Sequence, residues 1–200
     1  MDTKEKALNI RLSILKMLTK AGSGHTGGSM DLADIFAVLY FKHLNYNIDN
    51  QYDEDRDRVV LSIGHTAPVL YATLAEAGFF PKEELLTLRD FGSRLQGHPC
   101  KDFNLPGVET SAGSLGQGLS IALGMALAAK MDNKKHRIYC IMGDGELQEG
   151  SVWEAAMAAA HHKLDNLCAV VDRNRLQIDG DTENVMSLEP LNAKWKSFGW

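Results

Sequence analysis

The sequence predicts an α/β fold in which a doubly wound parallel sheet carries helices on both faces. Apolar runs with the length of buried strands occupy residues 58–62, 138–142 and 167–171. An Ala-rich stretch at 152–163 separates the last two runs and suits a crossover helix between parallel strands. Strands that alternate with helices in this way are typical of a parallel sheet that is buried on both sides.

The first part of the chain is predicted to be helical. Leucines recur at helical spacing and predict an amphipathic helix over about 4–20. Glycine and polar residues at 22–29 predict a loop. Ser29, at the end of this loop, is expected to cap a second helix over about 30–43.

Turn and helix signals follow the first predicted strand. Gly64 begins a turn, and a helix is expected from there through Ala77. Pro81 stands at a helix start. Glycines and prolines predict a loop over 91–113, and small residues over 115–130 predict a helix that lies close against the sheet.

The length and the end of the chain bound its domain organisation. The 200 residues suffice for one domain with a sizeable core, so we expect a single domain over 1–200. Residues 190–200 predict a loop leading into a helix, with aromatic side chains of the kind that are usually buried. The domain is therefore expected to lack its C-terminal end.

The composition excludes several classes of protein. With 44% hydrophobic and 24% charged residues the chain is typical of soluble globular proteins. A net charge of −5 and no basic stripe argue against nucleic acid as a partner. No apolar run has the length of a membrane span and the start lacks a signal peptide, so a cytoplasmic location without a membrane partner is expected. The cysteines form no C-x-x-C pair, and Cys140 and Cys168 are expected to be reduced core residues.

A carboxylate and an amide follow two neighbouring predicted strands. Asp144 ends the strand at 138–142, and Asn174 ends the run at 167–171. The carboxyl ends of parallel strands meet at the edge where open α/β sheets bind ligands. Two hard oxygen ligands beside glycine turns suit a divalent cation that holds a diphosphate.

Three histidines share one sequence context, each directly after a glycine in a predicted loop: His25, His65 and His98. A single loop histidine is more often a solvated surface residue than a catalytic one. Three in the same context are harder to dismiss. Imidazoles can bind phosphate oxygens, polarise a carbonyl or move protons near neutral pH.

Two further segments carry weaker signals. Residues 111–118 open a helix with glycines whose free N–H groups favour anions, although glycines also permit close helix packing. Three glutamates follow Asp144, and each is consistent with a solvated side chain: Glu146, Glu149 and Glu154. Among them Glu149 has the best chance of lying at the site or at a subunit contact.

Other enzyme signatures are missing or misplaced. Residues 22–27 match G-x-G-x-x-G, but they follow a predicted helix where the dinucleotide fingerprint requires a strand. The chain has no Walker-type loop, no G-x-S-x-G elbow and no H-E-x-x-H motif. Nucleotide hydrolases, serine hydrolases and zinc proteases therefore lack their usual sequence support.

Taken together, these motifs resemble the N-terminal, diphosphate-binding domain of transketolase. The segments 143–150, 172–174 and 178–180 are similar to the thiamine diphosphate signature of that family. Further stretches match in the same order, at 23–25, 64–65, 97–99 and 115–118. The resemblance covers almost the whole chain and implies the thiamine diphosphate-binding fold.

The resemblance also implies roles for individual residues. The implied catalytic residues, which face the sugar, are His25 and His98. The implied metal ligands are Asp144 and Asn174 through their side chains and Leu176 through its carbonyl oxygen, and they hold Mg²⁺, with Ca²⁺ or Mn²⁺ as substitutes. The implied cofactor-binding residues are His65, Gly113, Ser114, Leu115, Asp144, Gly145, Glu149 and Asn174.

The activity implied by the resemblance is ketol transfer. Thiamine diphosphate supplies a carbanion that accepts a two-carbon unit from a ketose phosphate and passes it to an aldose phosphate, as in the pentose phosphate pathway. In the family, the glutamate that activates the cofactor lies in a separate pyrimidine-binding domain. The chain is therefore expected to resemble the small subunit of a split transketolase, to form an oligomer with a pyrimidine-binding partner subunit, and to be inactive alone.

Three alternatives remain open at this point. One is another thiamine diphosphate enzyme, such as 1-deoxy-xylulose-5-phosphate synthase. A second is a ketol transferase that acts on an unusual sugar. The third is a truncated, non-catalytic assembly protein that keeps only the fold.

Overall fold

A computed structural model describes residues 2–200, which divide into two compact units. The first unit comprises residues 2–57 together with Gly64–Gly113. The second comprises Arg58–Ile63 together with Ser114–Trp200. The expectation of one domain over 1–200 stays a prediction.

The first unit is helical. Its α-helices are α1 (Thr3–Ala21), α2 (Gly27–Asp31), α3 (Ala33–Val38) and α4 (Ala67–Ala77). A π-helical turn follows α3, and short 3₁₀ turns complete the unit at Ile48–Asn50, Gly64–Thr66, Lys82–Thr87 and Lys101–Phe103. The predicted helix at 4–20, the helix through Ala77 and the largely irregular segment 91–113 are confirmed.

Helix α1 buries a different face from the one that its leucines mark. Asp2 caps the helix by accepting a hydrogen bond from the Lys4 N–H at 2.9 Å. The completely buried side chains are those of Ile10, Ile14 and Met17. Of the four leucines at helical spacing, Leu18 is buried, whereas three are exposed: Leu8, Leu12 and Leu15. Because α1 carries two apolar stripes, its period predicts a helix but not which stripe faces the core.

The predicted capping role of Ser29 is wrong. Ser29 lies inside α2, and its hydroxyl donates to the carbonyl oxygen of His25 at 2.7 Å. A serine hydroxyl can bond the carbonyl four residues earlier within a helix, so it does not have to stand at the helix start. The expected single helix over 30–43 is divided into α2, α3 and the π-helical turn Leu39–His43.

The second unit contains the sheet. Strands β1 (Arg58–Leu61), β2 (Ile138–Gly143) and β3 (Leu167–Asp172) are parallel in the order β1-β2-β3. Helices α5 (Gly118–Met131) and α6 (Gly150–His161) precede and follow β2. A two-stranded antiparallel ribbon of β4 (Leu176–Gln177) and β5 (Gly180–Asp181) comes next, followed by α7 (Thr182–Val185) and α8 (Leu191–Ser197).

Strands β1 and β2 bury apolar side chains on both faces of the parallel sheet. Val60, Cys140 and Met142 pack on one face in a core shared with α5, α6 and α8. Val59 and Ile141, which point to the opposite face, are buried as well. The predicted α/β class, the parallel sheet and the crossover helix between β2 and β3 are thus confirmed.

The cysteines are free thiols, but only one of the two expected core cysteines is buried. Cys140 on the central strand is buried, and burial raises the pKa of its thiol. Cys168 on β3 is exposed, so its assignment to the core was wrong. Its strand β3 lies at one edge of the parallel sheet within residues 2–200, and no residue of β3 after Leu167 is fully buried.

The length and the apolar character of the helices decide whether any of them could cross a membrane. Helix α1 is 19 residues long, but it alternates charged and apolar positions. None of the helices within residues 2–200 combines the length and the apolar character that crossing a membrane requires.

Candidate functional site

Asp144 directly follows β2 and is buried, with only 1% of its surface exposed. One carboxylate oxygen accepts a hydrogen bond from the Gly145 N–H at 2.8 Å. The other accepts from the Arg173 guanidinium and from the Arg175 N–H, both at 2.7 Å. These bonds fix the carboxylate at the end of β2 and tie it to the loop that follows β3.

Asn174 lies in this loop, two residues after the end of β3, and is exposed. Its amide oxygen accepts from the Leu176 N–H at 2.9 Å, and its amide nitrogen donates to Asp172 at 3.2 Å. The Leu176 carbonyl oxygen lies 3.8 Å from the point that a Cβ on Gly145 would occupy. The three predicted metal ligands are therefore all carried by the Asp144 turn and by the loop bonded to it.

This donor set fits a hard divalent cation. It offers one carboxylate, one amide oxygen and one main-chain carbonyl oxygen, the ligand types that Mg²⁺ and Ca²⁺ take. Gly145 is required beside it, since a Cβ there would lie 2.9 Å from the Cβ of Gln177. Within residues 2–200 no group of three or more His, Cys, Asp or Glu is placed to hold a metal, so a cation here depends on the amide and carbonyl oxygens.

Arg173 is a member of this site that the sequence did not reveal. Its guanidinium pairs with Asp144 at 2.7 Å, with Glu183 at 2.8 Å and with Glu189 at 3.0 Å. The pKa of Arg173 is raised, chiefly by its hydrogen bond to Asp144. Arg173 balances the charge of a carboxylate that is buried among backbone groups. Nothing in the local pattern distinguishes it from a solvated arginine.

Glu146 is a second residue that sequence reasoning misjudged. Its side chain is 2% exposed, so the solvated interpretation is wrong. It accepts hydrogen bonds from the Ser62 hydroxyl, from the Gly116 N–H at 2.8 Å and from the Gly143 N–H at 3.3 Å. Burial raises the pKa of this carboxyl, and the hydrogen bonds oppose that rise. Glu146 thus joins the ends of β1 and β2 to the turn before α5.

The turn before α5 packs closely against the end of β1. The Gly118 N–H donates to the Ser62 hydroxyl at 3.0 Å, and a Cβ on Gly118 would lie 2.3 Å from the Ser62 Cβ. Gly116 has a φ of +82°, which favours glycine, and α5 begins only at Gly118 instead of the predicted residue 115. Exposed Ser114 and half-buried Leu115 precede this turn.

Glu149 lies against the same turn. It is exposed at the position before α6, and its Cβ is 2.7 Å from the point that a Cβ on Gly116 would occupy. The second unit therefore groups Ser114, Leu115 and Glu149 around the Gly116 turn. The metal-ligand candidates and Gly145 lie at the adjoining end of β2.

The first unit groups the three Gly-His histidines with Gly113. The rings of His25 and His65 have their centroids 5.0 Å apart. The His98 ring lies 3.7 Å from the point that a Cβ on Gly113 would occupy. A Cβ on Gly64 would lie 2.8 Å from the Gly113 backbone nitrogen, so the segment bearing His65 packs directly on Gly113.

The environment favours the neutral form of His65 and of His98. Burial lowers the pKa of half-buried His65, and the charges of His25 and His98 lower it further. The pKa of His98 is also lowered, by burial first and then by His25 and Arg89. Neutral imidazoles can both donate and accept hydrogen bonds, as contacts with a sugar hydroxyl or carbonyl require.

The depressed pKa of His65 predicts how stability depends on pH. Because the unfolded chain binds this proton more readily, stability is complete above the unfolded pKa of 6.5 and falls as the pH drops through the lower folded value. Lowering the pH from about 7.5 to about 5.5 should therefore reduce the free energy of unfolding less in His65→Asn than in the wild type. Urea denaturation at both values measures this. His43→Asn, at an exposed histidine of the same unit, is the control. Equal pH dependence in His65→Asn and the wild type would contradict the assignment.

Comparison with known proteins identifies the class of this fold. A family model described as "Transketolase, thiamine diphosphate binding domain" matches residues 3–200. The structure is also similar to transketolase from Campylobacter jejuni, with a TM-score of 0.91 and 37% sequence identity over 100% of this chain. The fold is that of a thiamine diphosphate-binding domain. The chain belongs to the transketolase family.

Curated relatives are of two lengths. The chain is 47% identical to one subunit of the apulose-4-phosphate transketolase of Phocaeicola vulgatus, over 95% of this chain and 67% of the relative. It is also 47% identical to the SqwG subunit of the 6-deoxy-6-sulfo-D-fructose transketolase of a Clostridium species, over 100% of this chain and 72% of the relative. Human transketolase is 44% identical over 98% of this chain. The chain spans only 32% of that protein and 33% of the Campylobacter chain.

Proposed function

We propose that this chain is the thiamine diphosphate-binding subunit of a two-subunit transketolase that transfers a two-carbon ketol unit from a ketose phosphate to an aldose phosphate. The observation that carries the proposal is the buried Asp144 carboxylate, which shares one turn system with Asn174 and the Leu176 carbonyl. We further propose a cytoplasmic location and a role in carbohydrate metabolism, including the pentose phosphate pathway.

In this proposal the second unit binds the diphosphate through a cation. Asp144, Asn174 and Leu176 supply the oxygen ligands to Mg²⁺, and Arg173 pairs with the buried carboxylate and orients it. Gly145 permits close approach of the diphosphate because it has no side chain. Glu146 holds the Gly116 turn next to Leu115. The backbone of Gly113 and Leu115 is proposed to approach the aminopyrimidine side of the cofactor, with Ser114 as a further cofactor contact.

The first unit is proposed to bind the cofactor and the sugar. His65 and Gly113 contact the cofactor, and His25 and His98 hydrogen-bond hydroxyl groups of the sugar and assist proton transfer. When bound, thiamine diphosphate supplies the carbanion that cleaves and forms the carbon–carbon bond. The histidines act by orienting the substrate and by donating or accepting protons at its oxygens.

A partner protein with a pyrimidine-binding domain is part of the proposal. The shorter relatives are named as subunits, and this chain spans 67% of the Phocaeicola protein and 72% of the Clostridium protein. The partner would supply the glutamate that activates the aminopyrimidine. Neither unit of this chain is proposed to supply that group.

The identity of the substrate sugar is open between two classes, common sugar phosphates and unusual sugars. The relatives with 47% identity include one named for apulose 4-phosphate and one named for 6-deoxy-6-sulfo-D-fructose. Their names support a second candidate function, ketol transfer on an unusual sugar, beside transfer between common sugar phosphates. Both candidates use the same residues of this chain.

Calorimetric titration tests the proposal. Thiamine diphosphate is titrated into the chain with Mg²⁺, with and without a pyrimidine-binding transketolase partner, and ketol transfer is assayed on the same samples. We expect tight binding and turnover only with the partner. Robust turnover by the chain alone would contradict the split-enzyme proposal.

The same experiment separates the remaining alternatives. Absence of cofactor binding in both samples would support the non-catalytic assembly protein. Condensation of pyruvate with glyceraldehyde 3-phosphate, without ketol transfer, would support a 1-deoxy-xylulose-5-phosphate synthase. A panel of ketose phosphates and sulfonated ketoses then distinguishes the two sugar classes.

A further inference from the structure

Arg89 adopts a backbone conformation that is unfavourable for its residue type. Its φ is +65°, in the left-handed region that favours glycine. The Arg89 N–H donates to the Leu95 carbonyl oxygen at 2.9 Å, which holds the backbone in this turn. Strained residues of this kind persist where the surrounding structure fixes them, often at functional sites.

The guanidinium of Arg89 contacts the two segments that carry His25 and His98. Its Nη1 donates to the Ser23 hydroxyl at 3.0 Å, two residues before His25. It also lies over Gly97, the residue before His98, where a Cβ would be 2.9 Å from Nε and 3.0 Å from Nη2. Gly97 therefore provides the space that the guanidinium occupies.

The charge of Arg89 is not used in an ion pair. No acidic side chain within residues 2–200 forms a salt bridge with it, and its side chain is exposed. Arg94 in the same turn shows the contrast, since it forms two hydrogen bonds to Glu84 at 2.6 and 3.0 Å. The backbone turn and the space beside Gly97 together hold the Arg89 guanidinium against both segments.

We propose that Arg89 is a positioning residue that holds the Ser23–His25 segment and the Gly97–His98 segment together, so that both imidazoles meet the same substrate. The planar guanidinium suits this role because its N–H groups point in fixed directions, whereas a lysine ammonium presents a single point. The role of the two histidines toward the sugar rests on the proposed function. The contact of Arg89 with their two segments does not depend on the proposed function.

The first test is NMR of the full chain without cofactor, comparing the wild type with Arg89→Met. We expect loss of the nuclear Overhauser contacts that the side chain of residue 89 makes with Ser23 and Gly97. We also expect a rise in the pKa of His98, because a neighbouring positive charge has been removed. His25 and Arg89 are the charged groups that act on His98, so His25 is followed in the same titration. Arg94→Met is the matched control and should leave the pKa of His98 unchanged.

Two further variants keep the test decisive if Arg89→Met folds poorly. Arg89→Lys keeps the charge but cannot contact both segments, so it should lose the contacts while the pKa of His98 changes less. Gly97→Ala should displace the guanidinium and lose the same contacts with Arg89 still present. Retention of the contacts and of the His98 pKa in Arg89→Met and Gly97→Ala would overturn the proposal.

The second test uses the complex with the pyrimidine-binding partner. If Arg89 positions the substrate-facing histidines, Arg89→Met should lower kcat/KM for the ketose by about tenfold or more, with cofactor affinity unchanged. Unchanged kcat/KM despite loss of the contacts would overturn the positioning role. A wild-type complex that transfers no ketol unit contradicts the proposed function instead, and the NMR result still decides whether Arg89 joins the segments.

Discussion

Replacing Asp144 with asparagine is expected to weaken Mg²⁺-dependent binding of thiamine diphosphate by about 100-fold or more in the complex with the partner. Asparagine keeps the shape of the side chain, and its single amide oxygen can still accept from Arg173 and Arg175, although it no longer offers an acceptor to Gly145. It removes the anionic ligand. The other two ligands, an amide and a carbonyl oxygen, are neutral and cannot replace that charge. Calorimetric titration with and without Mg²⁺ measures the effect.

Asparagine is preferable to alanine because of the contacts that Asp144 makes. Alanine would also leave the N–H groups of Gly145 and Arg175 without their acceptor and would remove one partner of Arg173, so the loop after β3 would lose its anchor. Asp165→Asn changes the same charge at an exposed residue that pairs with Lys130, and it should leave cofactor binding unaffected. Unchanged Mg²⁺-dependent binding in Asp144→Asn would falsify the metal assignment.

Replacing Glu146 with alanine is expected to lower the free energy of unfolding by about 2–4 kcal/mol. The substitution leaves the Ser62 hydroxyl and the N–H groups of Gly116 and Gly143 without their buried acceptor. It also removes the link between the ends of two strands and the turn before α5. Urea denaturation followed by circular dichroism measures the loss.

Two variants separate this effect from that of a lost charge. Glu146→Gln can still accept from Ser62 and Gly116 through its amide oxygen, so it should lose less stability than the alanine variant. Glu154→Ala, at an exposed residue of α6, should change the free energy of unfolding by no more than about 0.5 kcal/mol. If Glu146→Ala proves as stable as Glu154→Ala, Glu146 does not have this structural role.

Much of the second unit was predictable because its signals are local. The apolar runs of β2 and β3 and the Ala-rich α6 between them locate a parallel strand–helix–strand unit to within about two residues. The glycines on either side of Asp144 mark the tight turn after β2. Once that connection is known, the end of β2 and the loop after β3 must lie at one edge of the sheet.

The errors concern residues whose environment depends on distant parts of the chain. Leu8 and Ile10 are equally compatible with a helix, and only packing decides that Ile10 is buried while Leu8 is exposed. Cys168 has the sequence context of a core strand, but its strand lies at the edge of the sheet. Serine is a residue type that often caps the start of a helix, but the hydroxyl of Ser29 instead donates a hydrogen bond to the His25 carbonyl oxygen four residues earlier.

The sequence by itself determined the α/β class, the family and the positions of Asp144 and Asn174 after two parallel strands. These follow from periodicity, connectivity and motif order, which are properties of neighbouring residues. Only the tertiary structure decided that Glu146 is a buried acceptor, that Arg173 pairs with Asp144 and that Arg89 joins two histidine-bearing segments. The physical reason is that hydrogen bonds and ion pairs between residues far apart in the chain depend on folded geometry, which leaves no local pattern in the sequence.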